Sequence, residues 1–512
     1  MNRVGLALVI LLLPPLATIH AAAAAPAAPN AQATADVAAG KRAEARASWW
    51  GFDPADATVA LQAAIHSGAR TLIVEDMGAP WITDKLTLAS DLKMVFEPGV
   101  VVQAKRGAFR GGGDCLFSAA LKTNLTLIGH GATLRMWKQD YDDKTQYKHA
   151  EWRHVLSFTS CAGVRVEGLT LADSGGDGIY LGVAQKGVPC SDVVIKKVVC
   201  LNNYRQGISV ISARNRLIED CVLKDTGGTA PEAGIDFEPN AATEELVNCV
   251  MRNCASENNK GDAYTFYLRP LRADSMPISI RLENCRSIGC RRSVAFVTGN
   301  DSDTAGVRGA MEFINCRFEG SQQAAISIGD KPVSGSRVSF VNCEVVNPAA
   351  RQPAMTPIVF TSDANGVDTI GGIRFESCTI DDSQNRLPMS YQDMSGGVAL
   401  SDITGTLTVK RGGRSTTHSL TPKLVAEWMP FRSFKQIARF DARSAWYEPA
   451  LPDAKPEATR RSTARQRGLS EWLVWAEVGE PVSFTVLIRP VGKGEPRPVP
   501  VISFNATPPD MS

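Results

Sequence analysis

Several things are scarce or missing in this 512-residue chain, and each removes a class of function. Net charge is nearly absent: 55 Lys and Arg stand against 53 Asp and Glu, a formal +2. That balance offers no electrostatic ground for nucleic acid or a membrane surface as partner. No apolar run of membrane-spanning length follows the N-terminus. Twelve cysteines occur, yet no two are spaced as CxxC, so the common cysteine-based metal motif is missing. The fixed Leu/Asn pattern of leucine-rich repeats is missing as well, and the two-residue alternation of Val, Ile and Thr excludes helical repeats.

What is present is a repeat. Four segments are built alike: Asp177-Gly-Ile-Tyr-Leu, Gln206-Gly-Ile-Ser-Val, Ala233-Gly-Ile-Asp-Phe and Asp262-Ala-Tyr-Thr-Phe, at intervals of 29, 27 and 29 residues. Alternation puts the third and fifth places on one face and the fourth on the other. Self-similarity at this period signals a solenoid. Stacked in register, Tyr180, Ser209, Asp236 and Thr265 make one outward column. Asp177, Gln206, Ala233 and Asp262 make a second, and the Gly after three of them predicts a bend that turns these side chains outward.

The same period marks a core column. Cys221, Cys249, Cys285, Cys316, Cys343 and Cys378 share one short pattern, and Leu169 and Val198 hold the matching place earlier. A site that accepts Leu, Val or Cys is a small apolar site, so these thiols are expected buried and unpaired. Cys254 and Cys290 are an exception close enough, on adjacent rungs, to be bridged.

The predicted fold is all-β: a single-stranded right-handed parallel β-helix, a short N-terminal capping helix and a small C-terminal β-sandwich-like module. Handedness follows the general preference of parallel crossovers. Residues 1–25 read as an export signal, with Arg3, the apolar run Val4–Leu16 and small residues at Ala21–Ala25, which predicts a periplasmic or secreted protein. Residues 26–47 read as an Ala-rich linker outside the fold, 48–400 as the β-helix and 401–512 as the C-terminal module. Asp56 is expected to cap a helix that ends at Gly68 and buries Leu61, Ala64 and Ile65. Beyond 400, Leu407–Lys410, Lys423–Trp428 and Val482–Ile488 are expected as antiparallel strands, with a linker or loop at Pro449–Arg467.

On these residues the chain resembles the pectin lyase-like superfamily of right-handed β-helix proteins. The resemblance is carried by Asp56-Ala-Thr-Val-Ala-Leu-Gln-Ala-Ala-Ile, Phe96-Glu-Pro-Gly-Val and the Gly-Ile rungs with Asn-Cys corners, over about residues 50 to 400. It implies an extended polysaccharide on the outer face, acted on by a glycoside hydrolase, a lyase or an epimerase. Within the polygalacturonase pattern, Gly176-Asp177-Gly178-Ile179 resembles the first catalytic rung. Arg205-Gln206-Gly207 stands where the pattern has Asp-Asp, and Glu232-Ala233-Gly234 where it has Gly-His-Gly.

Hydrolysis of a glycosidic bond needs two carboxyl groups across it. Asp177, Asp236, Glu238 and Asp262 are the candidates, and Asp236 stands out because an acid between Ile235 and Phe237 sits mid-strand, where Asp is disfavoured. Tyr180, Tyr204 and Tyr267 are candidate sugar platforms, Gln206 a candidate contact, and Arg205 a fork donor to a carboxylate or sulfate. Asp173 and Glu232 read as loop acids, His130 as a solvated turn residue, and Asn202-Asn203 and Asn258-Asn259 as turn stacks. A hydrolase needs no cofactor. The alternatives are a calcium-dependent lyase with Arg205 as base and a non-catalytic glycan-binding solenoid. The expected partner is a polysaccharide, with acidic and sulfated glycans included.

Overall fold

A computed structural model describes residues 25–429, apart from 300–303, 363–366 and 395–397, and beyond 429 the backbone of strands lying between 431 and 505. All but the last residue of the expected export signal lies outside the described residues.

The chain winds as a right-handed parallel β-helix, the fold that the resemblance implies. Each coil contributes strands to three parallel ladders. One ladder, here the site sheet, runs from Leu86–Thr87 through Ile179–Gly182, Gln206–Val210, Ala233–Phe237 and Tyr264–Tyr267 to Met389–Asp393. The other two are a long-strand ladder (Ala162–Glu167, Cys190–Lys196, Ala213–Glu219, Leu246–Arg252 and onward) and a short-strand ladder (Thr170–Ala172, Val199–Leu201, Val222–Lys224, Ala255–Glu257 and onward). Inward residues fill the bore. Phe237, Phe266 and Phe296 stack with centroids 4.9 and 5.0 Å apart, as do Phe313, Phe340 and Phe375 at 4.7 and 5.2 Å.

The N-terminal end differs from expectation. The residues predicted as a linker are folded: Ala31–Ala38 is a helix whose first turn is capped by the Asn30 side chain, and Glu44–Arg46 pairs with Thr71–Val74. An Ala-rich composition serves a packed helix as well as a loose tail, and here Ala33, Val37, Ala45 and Ala47 are buried. The second helix, Thr58–Ile65, buries Leu61, Ala64 and Ile65 as its periodicity predicts. Asp56 is not its N-cap; Ala57 is, while Asp56 accepts from the Thr58 N–H at 3.0 Å one residue earlier.

At the other end, position 400 falls inside the strand Ala399–Arg411. That strand pairs in parallel with Thr369–Asp381 and in antiparallel with Arg414–Leu420, so the coil does not stop there. Lys423–Trp428 is helical, not extended: the helix Pro422–Trp428 starts on a Thr421 cap with Pro in its first turn. Val482–Ile488 lies in the strand Pro481–Pro490, antiparallel to Arg497–Asn505. Within the expected linker 449–467, Ser462–Arg467 is a strand, and 450–461 lies outside the described residues.

All twelve cysteines are buried and free, so Cys254 and Cys290 form no disulfide. The thiol column runs through Cys221, Cys254 and Cys285, not Cys249: the Cys221 N–H points at Cys254 Sγ, 3.3 Å away. Cys249 sits within a long strand, in register with Arg216 and Ile280. Two Asn-Cys pairs five residues apart look alike in sequence but occupy different bends. Each Asn is left-handed, Asn248 at φ 51° and Asn253 at φ 54°. Asn253 belongs to a ladder in which Asn253 Nδ2 donates to Asp220 Oδ1, Asn284 to Asn253, Asn315 to Asn284 and Asn342 to Asn315, at 3.2–3.3 Å. Asn tolerates the left-handed region, and its amide bonds the next rung.

Candidate active site

Strand register places the candidate residues as their spacing predicts. Tyr180 pairs with Ser209, Ser209 with Asp236 and Asp236 with Thr265, one column on the site sheet. Three places earlier in the same register stand Asp177, Gln206, Ala233 and Asp262. The glycines between the columns are there for space. A Cβ on Gly207 would lie 2.5 Å from the Gly234 carbonyl oxygen, and one on Gly178 would lie 2.7 Å from that of Gly207.

The earlier column is longer than the repeat suggests. Leu156 pairs with Ile179 and Tyr264 with Val294, so His154 precedes Asp177 and Arg292 follows Asp262. Neither rung carries Gly-Ile, which hid them. The available signal was the looser pattern His154-Val-Leu-Ser-Phe and Arg292-Ser-Val-Ala-Phe, with apolar residues at the third and fifth places.

The site has two layers. Asp177 (0% exposed) and Asp236 (1%) form the inner one. The outer one is an ion-paired group: Arg205 Nη2 lies 2.8 Å from Glu238 Oε2 and Arg205 Nε 3.6 Å from Glu151 Oε2, with the two glutamate side chains 23% and 30% exposed. Glu151, like His154, comes from the segment leading into the strand Leu156–Thr159 and was not singled out from sequence.

The inner layer is short of partners. Asp236 Oδ2 accepts from Gln206 Nε2 at 3.0 Å, while Gln206 Oε1 accepts from the Ala233 N–H at 3.0 Å. Asp236 Oδ1, both carboxylate oxygens of Asp177, Ser209 Oγ and Thr265 Oγ1 are buried without a hydrogen bond among the described residues. His154 Nδ1 lies 3.2 Å from Asp177 Oδ2 but accepts the Asp177 main-chain N–H at 3.0 Å. The imidazole stacks on half-buried Tyr180, centroids 4.6 Å apart and 4° from coplanar. Buried polar groups in native proteins are nearly always paired, so five orphans on neighbouring rungs mark a place built for something else.

Electrostatics separate the acids. Burial pushes the Asp236 carboxyl well above the ordinary range, and Glu238 and Asp177 push it further, against Arg205. Asp262 is the opposite case. Burial alone would raise it, but Arg292 and Arg291 outweigh burial and hold it below the ordinary value. Arg292 contacts its oxygens at 2.9 and 2.7 Å and Arg291 at 3.0 and 3.1 Å. With four charge-assisted bonds Asp262 is a structural anion and lacks free lone pairs for proton transfer, contrary to the sequence expectation.

The other candidates divide. Burial lowers the Arg205 guanidinium, but Asp177 and Glu238 more than offset this and raise it further. Its Nη2 is bonded to Glu238, while its Nε is buried without a hydrogen bond. Half-buried Tyr204 packs over Gly228, where a Cβ would meet its ring at 2.2 Å. Tyr267 ends its strand and is exposed. Glu232 closes a turn on the Gly228 N–H at 2.7 Å, and Asp173 accepts from Asn202 at 2.7 Å. Exposed His130 lies 3.4 Å from Glu167. Calcium does not fit these donors: Asp262 and Glu238 are held by arginines, and among the described residues no group of three or more His, Cys, Asp or Glu is arranged around a common point.

No protein-family model matches the chain. An uncharacterized Bacillus subtilis protein, YclG, is 24% identical over 155 residues, 28% of this chain and 26% of that protein, so the chain spans about a quarter of the relative's length. Among solved structures, the A-module of the Azotobacter vinelandii mannuronan C-5 epimerase is 13% identical, covering 72% of this chain and 96% of that one at a TM-score of 0.49. The Yersinia enterocolitica family 28 exopolygalacturonase is 11% identical, covering 76% of each chain at a TM-score of 0.47.

Proposed function

We propose that this is an exported carbohydrate-active protein, a glycoside hydrolase cutting a polysaccharide that lies across the site sheet. The observation that carries the reading is a set of two unlike carboxyls two rungs apart: Asp236, biased toward its neutral form by burial and its acidic neighbours, and Asp177, whose oxygens receive no hydrogen bond. A carboxyl biased toward its neutral form near a carboxylate with free lone pairs can supply an acid and a base.

In this reading Asp236 donates its proton to the leaving-group oxygen, and Gln206 fixes the carboxyl through Oδ2, leaving Oδ1 facing the bond. Asp177 accepts a proton from the attacking water. The two residues are two rungs and three strand places apart, about 14 Å between backbones. The reading requires the two side chains to lean together, toward the roughly 6.5–9.5 Å of an inverting pair, which leaves room for water. The Arg205–Glu238 pair acts on these carboxyls by charge, and in this reading Glu238 takes no part in proton transfer. The raised Arg205 guanidinium counts against it as the base of the lyase alternative.

The test is a polysaccharide panel read for reducing ends and for the ultraviolet absorbance of an unsaturated uronate, with wild type and Asp236→Asn. Reducing ends without absorbance, lost in the variant, are expected. Absorbance would replace hydrolysis with elimination. Silence in both channels would leave a glycan-binding solenoid.

A further inference from the structure

We infer that the glycan taken by this site is neutral, and that acidic and sulfated polymers are excluded by charge; this rests on the site assignment above. Each arginine near the inner carboxyls already has a carboxylate as ion-pair partner. Arg205 lies between Glu238 and Glu151, and Arg291 and Arg292 share Asp262. The next cation outward, Lys138, donates to Asn202 Oδ1 and the Asn203 carbonyl and interacts with Asp142, Asp173 and Glu232 as well as Lys260.

A uronate or sulfate ester needs a fork donor or ammonium with donors to spare, in a field that is positive or neutral. Here an incoming anion would compete with carboxylates already seated on the arginines, and it would face the unpaired Asp177. Like charges brought together at a desolvated interface repel. Apart from Arg205 Nε, which faces Glu151, and the carboxylate oxygens themselves, the site's polar atoms without partners are hydroxyls. Ser209 Oγ and Thr265 Oγ1 flank Asp236 on the same column, each nine-tenths buried or more and unbonded. Hydroxyls suit the hydroxyls of a neutral sugar, giving and taking hydrogen bonds without demanding a counter-charge. Tyr180, flat against His154, adds an aromatic surface at the same column.

The experiment separates this inference from the hydrolase reading. Full-length Asp236→Asn is titrated by affinity electrophoresis and calorimetry with neutral polymers (arabinan, galactan, xylan, mannan, β-glucan) and with polygalacturonate, alginate and a sulfated galactan. Wild type is assayed on the same set for reducing ends. Binding of at least one neutral polymer, about tenfold or more tighter than every acidic one at low salt, is expected. A neutral polymer bound but not cut would retain the inference and overturn the hydrolase assignment. Tighter binding or cutting of an acidic polymer would overturn the inference, and so would failure to bind any neutral polymer. Glu238→Gln, which releases Arg205, is expected to narrow the preference by raising affinity for polygalacturonate; an unchanged or wider gap would count against the charge argument.

Discussion

Two columns of this β-helix run through the same coils and do opposite things. At one corner the Asn and Cys residues repeat nearly unchanged, and the asparagine amides bond one another from rung to rung. On the site sheet the column His154, Asp177, Gln206, Ala233, Asp262, Arg292 never repeats a residue on adjacent rungs, and both carboxylate oxygens of Asp177 are without a hydrogen bond. In a stacked repeat, identical residues satisfy one another by translation, so the first column serves stability. Chemistry needs unlike neighbours, and only a break in the repeat supplies them.

The comparison breaks most sharply at Asp236. Asp236→Asn is expected to lower kcat by about 10²–10⁴-fold with the fold retained by circular dichroism, in line with loss of a general acid. Because the Asp236 carboxyl is raised, wild-type activity holds at a pH where an ordinary Asp is ionised and falls as pH rises through that raised value. A flat alkaline limb in the wild-type profile would remove Asp236 from the role.

Next is Gly207→Ala. Its new Cβ meets a backbone carbonyl oxygen at 2.5 Å, and about 3 kcal/mol of destabilisation is expected in denaturant titration. Asp262→Asn leaves two half-exposed arginines facing a neutral group and is expected to cost about 2 kcal/mol near neutral pH. The sign follows from its depressed folded-state pKa: the stabilisation is present above the ordinary Asp value and is lost as pH falls through the depressed one. The gap between wild type and variant should therefore close in acid; a gap that stays constant would refute the ion-pair account.

The corner column should yield less. Asn284→Ala removes two ladder bonds and places a Cβ residue without a compensating amide at φ 52°, an expected loss of about 1 kcal/mol. Cys316→Val puts at one rung what Val198 already is at another, and a change within about 1 kcal/mol is expected in thermal unfolding. A large loss there would mean that the thiol does more than fill space.

Much of this was legible beforehand. The 27–29-residue interval between Gly-Ile segments places Tyr180, Ser209, Asp236 and Thr265 in one column, because parallel strands pair by whole residues. His154 and Arg292 escaped because their rungs have Val and Ser where the others have Gly or Ala. Cys249 was misplaced because Asn-Cys fits either of two bends five residues apart, and local pattern cannot choose between them. The helix at Ala31–Ala38 was missed because low complexity masked a capped, half-buried face.

The amino-acid sequence by itself determined the coil, its period and which residues share a column, since alternation and spacing are properties of the chain alone. Only the tertiary structure decided what each acid is. Asp236 and Asp262 stand one rung apart in the same strand family, yet one is driven toward its neutral form and the other held as an anion. The difference comes from Glu238 and Asp177 around the first and Arg291 and Arg292 around the second. Charge interactions depend on distance through space and on burial, and neither can be read from spacing along the chain.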